Sequence, residues 1–282
     1  MTPSLLLGYK IQYEIMKRVE IIAVGKEILR GQTLDTNSSW LAKRITALGG
    51  VIKWIVIPDD DVSAIAAEIK TSFHNGAQII ITTGGLGPTF DDKTLAGIAE
   101  AMNRPLSLHD KALEIVTRRY TELYDQGFVD DAAITPAREK MAYLPQGAEA
   151  LDNTVGTAPA ASLQSREWVI FALPGVPREM QAIFEQTVFP SLKEILGAAF
   201  YQEETVNTGL GDESIIAGML EQVMKQIPGT YLKSKATAFG KGVELEVVIT
   251  AAGADKQEIE KKVQEAKRLL LALVKSRPTR TG

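Results

Sequence analysis

The sequence of 282 residues contains no cysteine and only two histidines, His74 and His109. The absence of cysteine excludes disulfides, thiolate metal sites and cysteine nucleophiles, and is compatible with a reducing compartment. Two histidines give poor support to a histidine-rich metal site or to a Ser-His-Asp triad. The chemistry of this chain therefore has to come from carboxylates, lysines and backbone groups.

A positive charge balance is missing as well, because the formal net charge is -4. Such a chain lacks the electrostatic footprint of a protein that binds nucleic acid or an anionic membrane surface. No apolar run reaches the roughly 18 to 20 residues that cross a bilayer, and the short leucine run near the start is not followed by a secretory cleavage pattern. We expect a cytoplasmic protein whose main partner is a small molecule.

Hydrophobic residues make up 45% of the chain, which is enough for a sizeable core. Up to about residue 198, apolar strand-like runs alternate with amphipathic helices; after that, the pattern is typical of a small α+β module. The sequence predicts an N-terminal extension over 1–18, an α/β domain over 19–198 and an α+β module over 199–282.

Five apolar runs in the α/β part read as strands. They lie at 19–24, 51–57, 78–82, 160–163 and 168–173. The first three are each followed by helical periodicity, which favours right-handed crossovers and a parallel sheet covered on both faces. A long helix is predicted over 178–196, and the segment 25–32 between glycines is predicted to be a loop.

The third strand runs into the stretch TTGGLGPTFDDKT at 82–94. Its glycines allow the backbone to approach a ligand closely, and open α/β sheets bind ligands at the carboxyl ends of their strands. The stretch is neither a P-loop, which needs Gly-Lys followed by Ser or Thr, nor a complete dinucleotide fingerprint. It predicts a loop that binds an anion through backbone N–H groups.

Acidic residues follow each of the first three strands. They are Glu27, then the run 59–61, then Asp91 and Asp92. Because the ends of parallel strands meet at one edge of the sheet, these carboxylates should gather there and repel a bare phosphate. A divalent cation bridging them to a diphosphate would resolve the conflict. The alternative is that acids such as Asp61 and Asp91 only cap helices.

Other polar residues near this edge have an ordinary explanation beside the functional one. Lys26 and Lys93 are placed to offset the charge of a phosphate, although an exposed lysine is more often only solvated. Asn37 and Ser38 lie where a helix should begin, so capping is their first role and ligand contact their second.

Four ordered motifs resemble the molybdopterin-binding domain of the CinA (competence/damage-inducible protein A) family. They are GKEIL at 25–29 with DTNS at 35–38, the glycine stretch at 82–94, NTVGTAP at 153–159 and LPGVPREM at 173–180. A shorter part is similar to the MogA/MoaB and gephyrin-type proteins of molybdenum cofactor biosynthesis. Over residues 19 to about 196, the resemblance implies a three-layer α/β/α sandwich around a mainly parallel sheet.

The resemblance also implies catalytic and metal-binding residues. Asp92 falls on the functional aspartate of the MogA-like loop and Asp59 on the second aspartate of that group. With Glu27 they would hold a divalent metal ion (Mg, Mn or Co), and Lys93 would assist catalysis. Lys26 departs from the Asp or Asn that relatives usually carry, so no metal role is implied there.

Substrate contacts are implied at the glycines and at the later motifs. The full set is Gly84, Gly85, Gly87, Thr89, Asn37, Ser38, Gly156, Thr157 and Arg178. The tail after residue 200 resembles the KH-like module of CinA proteins, without the Gly-x-x-Gly loop that RNA-binding KH domains use. The nicotinamide mononucleotide deamidase domain of full-length CinA proteins is not matched, so we expect no deamidase activity.

Two functions of different classes follow from the resemblance. The first is a metal-dependent pyrophosphatase that splits ADP-ribose or a related nucleotide diphosphate, which we favour because an acid-rich edge suits two-phosphate chemistry. The alternative is a molybdopterin-binding protein linked to molybdenum cofactor biosynthesis. A third hypothesis is a non-catalytic nucleotide-binding homodimer.

Overall fold

The computed structural model describes residues 17–197, 200–235, 245–253 and 255–276. The chain divides into two compact units. One is built from Lys17–Ile45 and Gly50–Ile195, and the other includes the chain from Leu196 onward. The expected N-terminal extension, apart from its last two residues, and a turn expected at 240–242 lie outside the described residues.

The first unit alternates strands and helices up to residue 196. In chain order these are β1 (Arg18–Ala23), α1 (Lys26–Leu29), α2 (Thr36–Ala47), β2 (Val51–Val56), α3 (Val62–His74), β3 (Ile79–Thr83), α4 (Thr94–Ala101), β4 (Leu106–Leu108), α5 (Asp110–Asp125), α6 (Pro136–Lys140), β5 (Tyr143–Pro145), β6 (Glu149–Leu151), β7 (Ala160–Gln164), β8 (Val169–Leu173), α7 (Pro177–Ile183) and α8 (Phe189–Leu196). The segment predicted as a loop contains the short helix α1. A π-helical turn, Phe184–Val188, interrupts the helix predicted over 178–196.

Six strands form one sheet in the order β2-β1-β3-β8-β7-β6. β2, β1, β3 and β8 run parallel, while β7 and β6 are antiparallel to their neighbours. The connection from β7 to β8 spans only four residues, and Ser165 N donates to Trp168 O across it at 2.8 Å. A hairpin this short can join only antiparallel strands. The predicted mainly parallel sheet is confirmed.

The order of the sheet reverses beside β1. The chain leaves β1 for β2 on one side, and then crosses to β3 on the other side. At such a switch point, the loops that follow the two central strands diverge and leave a crevice at their carboxyl ends. This topology places the ends of β1 and β3 where the ligand pocket described below is found.

Helical layers bury both faces of the central strands. On one face, Ile22 and Ile80 pack with Ile65 of α3 and Ile98 of α4. Ile21, at an alternate position of β1, is also fully buried, so the opposite face is covered too. Burying these aliphatic side chains supplies the main driving force for the fold, at roughly 1.5 to 3 kcal/mol for each side chain.

The edge strand β2 corrects the expectation that every parallel strand is covered on both faces. Trp54 and Ile55 of this strand are exposed. β2 pairs only with β1 among the described strands, and edge strands have less cover than central ones. The near-continuous apolar run VIKWIV indicated a strand correctly but not its place at the edge.

The second unit is a β-α-β-β-α module. Its elements are β9 (Phe200–Asn207), α9 (Glu213–Gln226), β10 (Thr230–Lys235), β11 (Glu246–Gly253) and α10 (Lys256–Lys275). The three strands form an antiparallel sheet in the order β10-β11-β9. Val247, Ile249 and Ala251 of β11 are buried while the residues between them are half-exposed, so one face of this strand packs against the core of the module. None of the helices within the described ranges is long and apolar enough to cross a membrane.

A buried carboxyl group lies inside the central sheet. Glu20 of β1 is 2% exposed, and burial is the main cause that raises the pKa of its carboxyl above the ordinary value of 4.5. The Ser72 hydroxyl acts in the opposite direction, and Glu68 reinforces the rise. A carboxyl with a raised pKa stabilises the fold least when it is ionised.

Glu20→Gln should therefore stabilise the protein at high pH and not at low pH. The folded pKa is raised, so the contribution of the wild-type carboxyl is complete below pH 4.5 and is lost as pH rises through the folded pKa. Thermal unfolding of both proteins at pH 4.5 and pH 8 measures the effect. We expect a Tm gain of about 3 °C at pH 8, the shift that ~1 kcal/mol produces at this size; equal Tm differences at both pH values would contradict the assignment.

Candidate functional site

A pocket of about 470 Å³ opens at the carboxyl ends of β1, β3 and β8. Its wall comes from the loops after β1, β2, β3 and β8, from the start of α2 and from Thr157 and Ala158. This volume falls within the range of small-molecule sites, roughly 300 to 1,000 Å³. The position agrees with the predicted binding edge of the sheet.

Gly84 allows three strand ends to meet at the floor of the pocket. Its φ is +99°, and an added Cβ would lie 2.1 Å from the carbonyl oxygen of Val24. Gly84 N donates to Leu173 O at 2.9 Å, and Val24 N donates to Thr83 O at 2.8 Å. Only glycine satisfies both the positive φ and the contact with the neighbouring strand.

Asn37 ties the start of α2 to the same point. Its Nδ2 donates to Thr83 Oγ1 at 3.0 Å and to Gly175 O at 2.7 Å, while Thr83 Oγ1 donates to Pro174 O at 3.1 Å. The Asn37 Oδ1 atom is buried and accepts no hydrogen bond among the described residues. Asn37 lines the pocket, as predicted, but its amide nitrogen is already used to hold the loops together.

The glycine loop presents backbone donors to the pocket. Within the described part of the chain, the N–H groups of Gly85, Leu86 and Gly87 have no hydrogen-bond acceptor. Thr94, the first residue of α4, fixes the loop, since its Oγ1 donates to Gly84 O at 2.7 Å and its N donates to Gly85 O at 3.1 Å. Consecutive amides in a glycine turn make a concavity that suits an anionic oxygen.

Both acids of the loop after β3 line the pocket, and neither caps a helix. Asp92 Oδ2 accepts from Thr89 N at 2.8 Å, and the Thr89 hydroxyl lies within hydrogen-bond distance of both Asp91 and Asp92. The Thr89 hydroxyl is the main cause that lowers the pKa of the Asp91 carboxyl. The helix-cap alternative is thus wrong for Asp91, and correct for Asp61, which accepts from Ser63 N and Ala64 N at the start of α3.

Asp59 is engaged elsewhere. Lys26 Nζ lies 3.0 Å from Asp59 Oδ1, and this contact is the largest cause that lowers the pKa of the Asp59 carboxyl. Lys26 N donates to Asp60 Oδ2 at 2.9 Å, and Asp60 rather than Asp59 lines the pocket. The acids after β2 therefore anchor the start of α1.

The described residues do not by themselves form a complete metal-binding site. No three Asp, Glu or His side chains converge there closely enough to hold an ion. Of the three predicted metal ligands, Glu27 and Asp92 line the pocket, whereas Asp59 faces Lys26. The arrangement fits an ion only if the ligand itself supplies further oxygen atoms, as is common for Mg²⁺.

The turn after β6 forms the opposite wall. Asn153, fully buried, donates from Nδ2 to Ala158 O and to Glu179 Oε2 at 2.8 Å each, and its Oδ1 accepts from the N–H of Gly156 at 2.7 Å. From α5, Arg119 donates to Gly156 O at 2.7 Å. The sequence motif at 153–159 indicated this turn, but not the structural roles of Asn153 and Arg119.

The structure brings together most of the predicted site residues. Those that line the pocket are Glu27, Asn37, Gly84, Gly85, Gly87, Thr89, Asp92 and Thr157. Those that do not line it are Ser38, Asp59, Lys93, Gly156 and Arg178. Sequence reasoning missed Asp35 and Glu179 as lining residues, and it expected Asp60 at the binding edge only as part of the acidic run 59–61. Asp35 lies in the motif DTNS and Glu179 in the motif LPGVPREM. Membership of these motifs was the sequence signal that could have identified both as lining residues.

The charge of the lining is of one sign. Six acidic residues line the pocket, namely Glu27, Asp35, Asp60, Asp91, Asp92 and Glu179, and no described Lys, Arg or His does. A ligand of this pocket therefore has to offer hydrogen-bond donors or positive charge to the carboxylates. The amides of the glycine loop, which have no acceptor among the described residues, provide the complementary donors for an anionic group.

The fold and the pocket together define an α/β domain with a pocket of small-molecule size at the switch point of its sheet. The chain belongs to the family described as the probable molybdopterin binding domain, whose model matches residues 20–194. This match confirms the resemblance found in the sequence motifs.

Similar proteins from archaea match along most of the chain. A protein of Thermococcus kodakarensis is 38% identical over 87% of this chain and 94% of its own length. One from Pyrococcus furiosus is 40% identical over 79% of this chain and 86% of its own. The crystal structure of the protein CinA of unknown function from Thermoplasma acidophilum is 30% identical, with a TM-score of 0.57, over 63% of this chain and 99% of that chain.

Gly84→Ala tests the close approach at the pocket floor. The added methyl would meet a backbone carbonyl that cannot move without displacing β1, so we expect a loss of at least ~3 kcal/mol in unfolding free energy. Gly127→Ala is the matched control because Gly127 also has a positive φ, +73°, but open space around it; its cost should be about 1–2 kcal/mol. Denaturant unfolding measures both, and equal losses would refute the steric argument.

Proposed function

We propose that the pocket binds molybdopterin or a closely related phosphorylated pterin. The observation that carries the proposal is that every residue lining the pocket, from Val24 to Glu179, lies inside the range 20–194 matched by the molybdopterin-binding family. The family therefore includes the whole pocket and not only the sheet beneath it.

The polar groups of the pocket suit the two ends of such a ligand. The ring of a pterin carries an amino group and a ring N–H along one edge, and carboxylates are good acceptors for such paired donors. A phosphate at the other end suits the amides of Gly85, Leu86 and Gly87, which have no acceptor among the described residues. A bare anion without a donor-bearing part would meet six carboxylates and little compensation.

Exposed apolar side chains surround the mouth of the pocket. Phe90 is 89% exposed and lies between two lining residues, Thr89 and Asp91. Leu34 is 82% exposed and lines the pocket itself, as does the exposed Val176. Such side chains at a rim gain contact area when a flat ring enters. The rim thus favours a planar heteroaromatic ligand.

Phe90→Ala should weaken pterin binding about fivefold, since an aromatic contact of ~1 kcal/mol corresponds to that factor. Phe128→Ala is the matched control, because Phe128 is 73% exposed and, unlike Phe90, is not flanked in sequence by residues that line the pocket. Titration of each protein with a phosphorylated pterin, followed by pterin fluorescence, measures the dissociation constants. Undetectable binding by the wild-type protein would refute the proposed function.

A second candidate function is hydrolysis of a nucleotide diphosphate such as ADP-ribose. The observation that favours it is that Glu27 and Asp92 line the same pocket as the unpaired amides of the glycine loop. Glu27 and Asp92 would hold a divalent ion (Mg, Mn or Co) together with the oxygens of the ligand's diphosphate. When bound, such an ion supplies charge neutralisation and a lowered pKa of bound water. The loop amides would orient the diphosphate.

Incubation with ADP-ribose and each metal ion in turn, with analysis for AMP, tests this candidate. Asp92→Asn should lower any rate at least 100-fold while preserving the fold, because an amide oxygen can still accept from Thr89 N. Asp130→Asn, an exposed aspartate outside the pocket, should leave the rate unchanged. If no metal yields AMP while the pterin binds, the pocket is a binding site and the pyrophosphatase candidate is refuted.

A further inference from the structure

Lys140, the last residue of α6, contacts the backbone of the acidic loop, residues 89–92. Its ammonium donates to the carbonyl oxygens of Thr89 and of Asp92, the latter at 2.8 Å. Lys140 is half-buried and does not line the pocket. It therefore contacts the loop that carries Asp91 and Asp92 without occupying the space that a ligand would take.

The loop needs such support because it has little packing of its own. The side chain of Phe90, at its tip, is almost fully exposed. Two adjacent carboxylates, Asp91 and Asp92, share one hydroxyl, that of Thr89. Hydrogen bonds therefore hold the loop in its shape. They have to overcome the repulsion between the negative charges of Asp91 and Asp92.

Like Lys93, Lys140 is a cation that opposes this repulsion. Asp91 and Asp92 both act to raise the pKa of its ammonium, although burial, the largest cause, lowers it. A cation whose donors face carbonyl oxygens stabilises both the turn and the charges beside it. Neither Lys93 nor Lys140 forms an ion pair with these carboxylates among the described residues; the ammonium of Lys140 differs in donating to two carbonyl oxygens of the loop.

Helix α6, which carries Lys140, is held in place by contacts outside the acidic loop. Thr135 caps α6 by accepting from Arg138 N, and Pro136 occupies its first turn. Arg138 lies 3.8 Å from the ring centre of Tyr120 and donates to the carbonyl oxygens of Asp131 and Ala133 at 2.7 Å. Lys140 therefore approaches the acidic loop from a support that does not depend on that loop.

We propose that Lys140 is a positioning residue that holds the loop 89–92 in the shape that binds ligand. Its contribution to ligand affinity rests on the proposed function, whereas its hold on the loop does not. The experiment therefore needs one measurement on the loop itself and one on the ligand.

Three variants separate this role from general stability. Lys140→Gln removes the charge, Lys140→Arg keeps it, and Arg104→Gln removes another half-buried cation, which donates to the carbonyl oxygen of Gln146 in a different loop and has no part in holding α6. Hydrogen exchange of peptides covering 86–93, measured without ligand, reports the loop. Titration with the phosphorylated pterin reports affinity.

We expect Lys140→Gln to speed exchange at 86–93 at least tenfold and to weaken pterin binding at least tenfold. Lys140→Arg should restore most of both effects, and Arg104→Gln should leave exchange at 86–93 as in the wild type. Unchanged exchange in Lys140→Gln would overturn the proposal, and so would an equal increase in Arg104→Gln. If the wild type binds no pterin, the proposed function fails while the exchange result still decides the role of Lys140.

Discussion

The close approach of Gly84 to the end of β1 is the constraint on which the rest of the site depends. With 2.1 Å between the Val24 carbonyl oxygen and a methyl group at position 84, no other residue lets β1 and β3 end side by side. The hydrogen bonds of Asn37 then fasten α2 and the loop after β8 to the same place. The pocket exists because these strand ends meet at a switch point and their loops diverge immediately afterwards.

Acidic side chains line this pocket, whereas the basic side chains near it lie outside the described lining. Three cations near it hold backbone or an acid outside it: Lys26 pairs with Asp59, Arg119 binds carbonyl groups of the turn at 155–156, and Lys140 binds those of the acidic loop. Since these cations do not line the cavity, they stabilise its walls without placing a positive charge inside it. Stability and ligand selection are thereby assigned to different side chains.

Much of this arrangement was predictable from the sequence, and the exceptions share a physical cause. Strand-ending glycines, the buried isoleucine runs and the acids that follow them act locally, so the sheet, the binding edge and the gathering of acids at that edge followed from pattern. Asp59, Lys93 and Arg178 were assigned through motif position, which does not specify where a long or a paired side chain points. The roles of Lys140 and Glu179 depend on contacts between segments 26 or more residues apart, and no local periodicity encodes these.

The sign of the lining charge limits the chemistry of the ligand more than the volume of the pocket does. A cavity of about 470 Å³ admits many metabolites, but six carboxylates, with no lining cation in the part of the chain that the structure describes, disfavour any anion that brings neither donors nor a counter-ion. The backbone N–H groups of residues 85–87 have no acceptor among the described residues. They make this one part of the pocket favourable for a phosphate, because a phosphate can accept their hydrogen bonds. A ligand must therefore be bipartite, with an anionic end for the glycine loop and a donor-rich end for the acids, and a phosphorylated pterin meets both requirements without a metal ion, whereas a nucleotide diphosphate needs one.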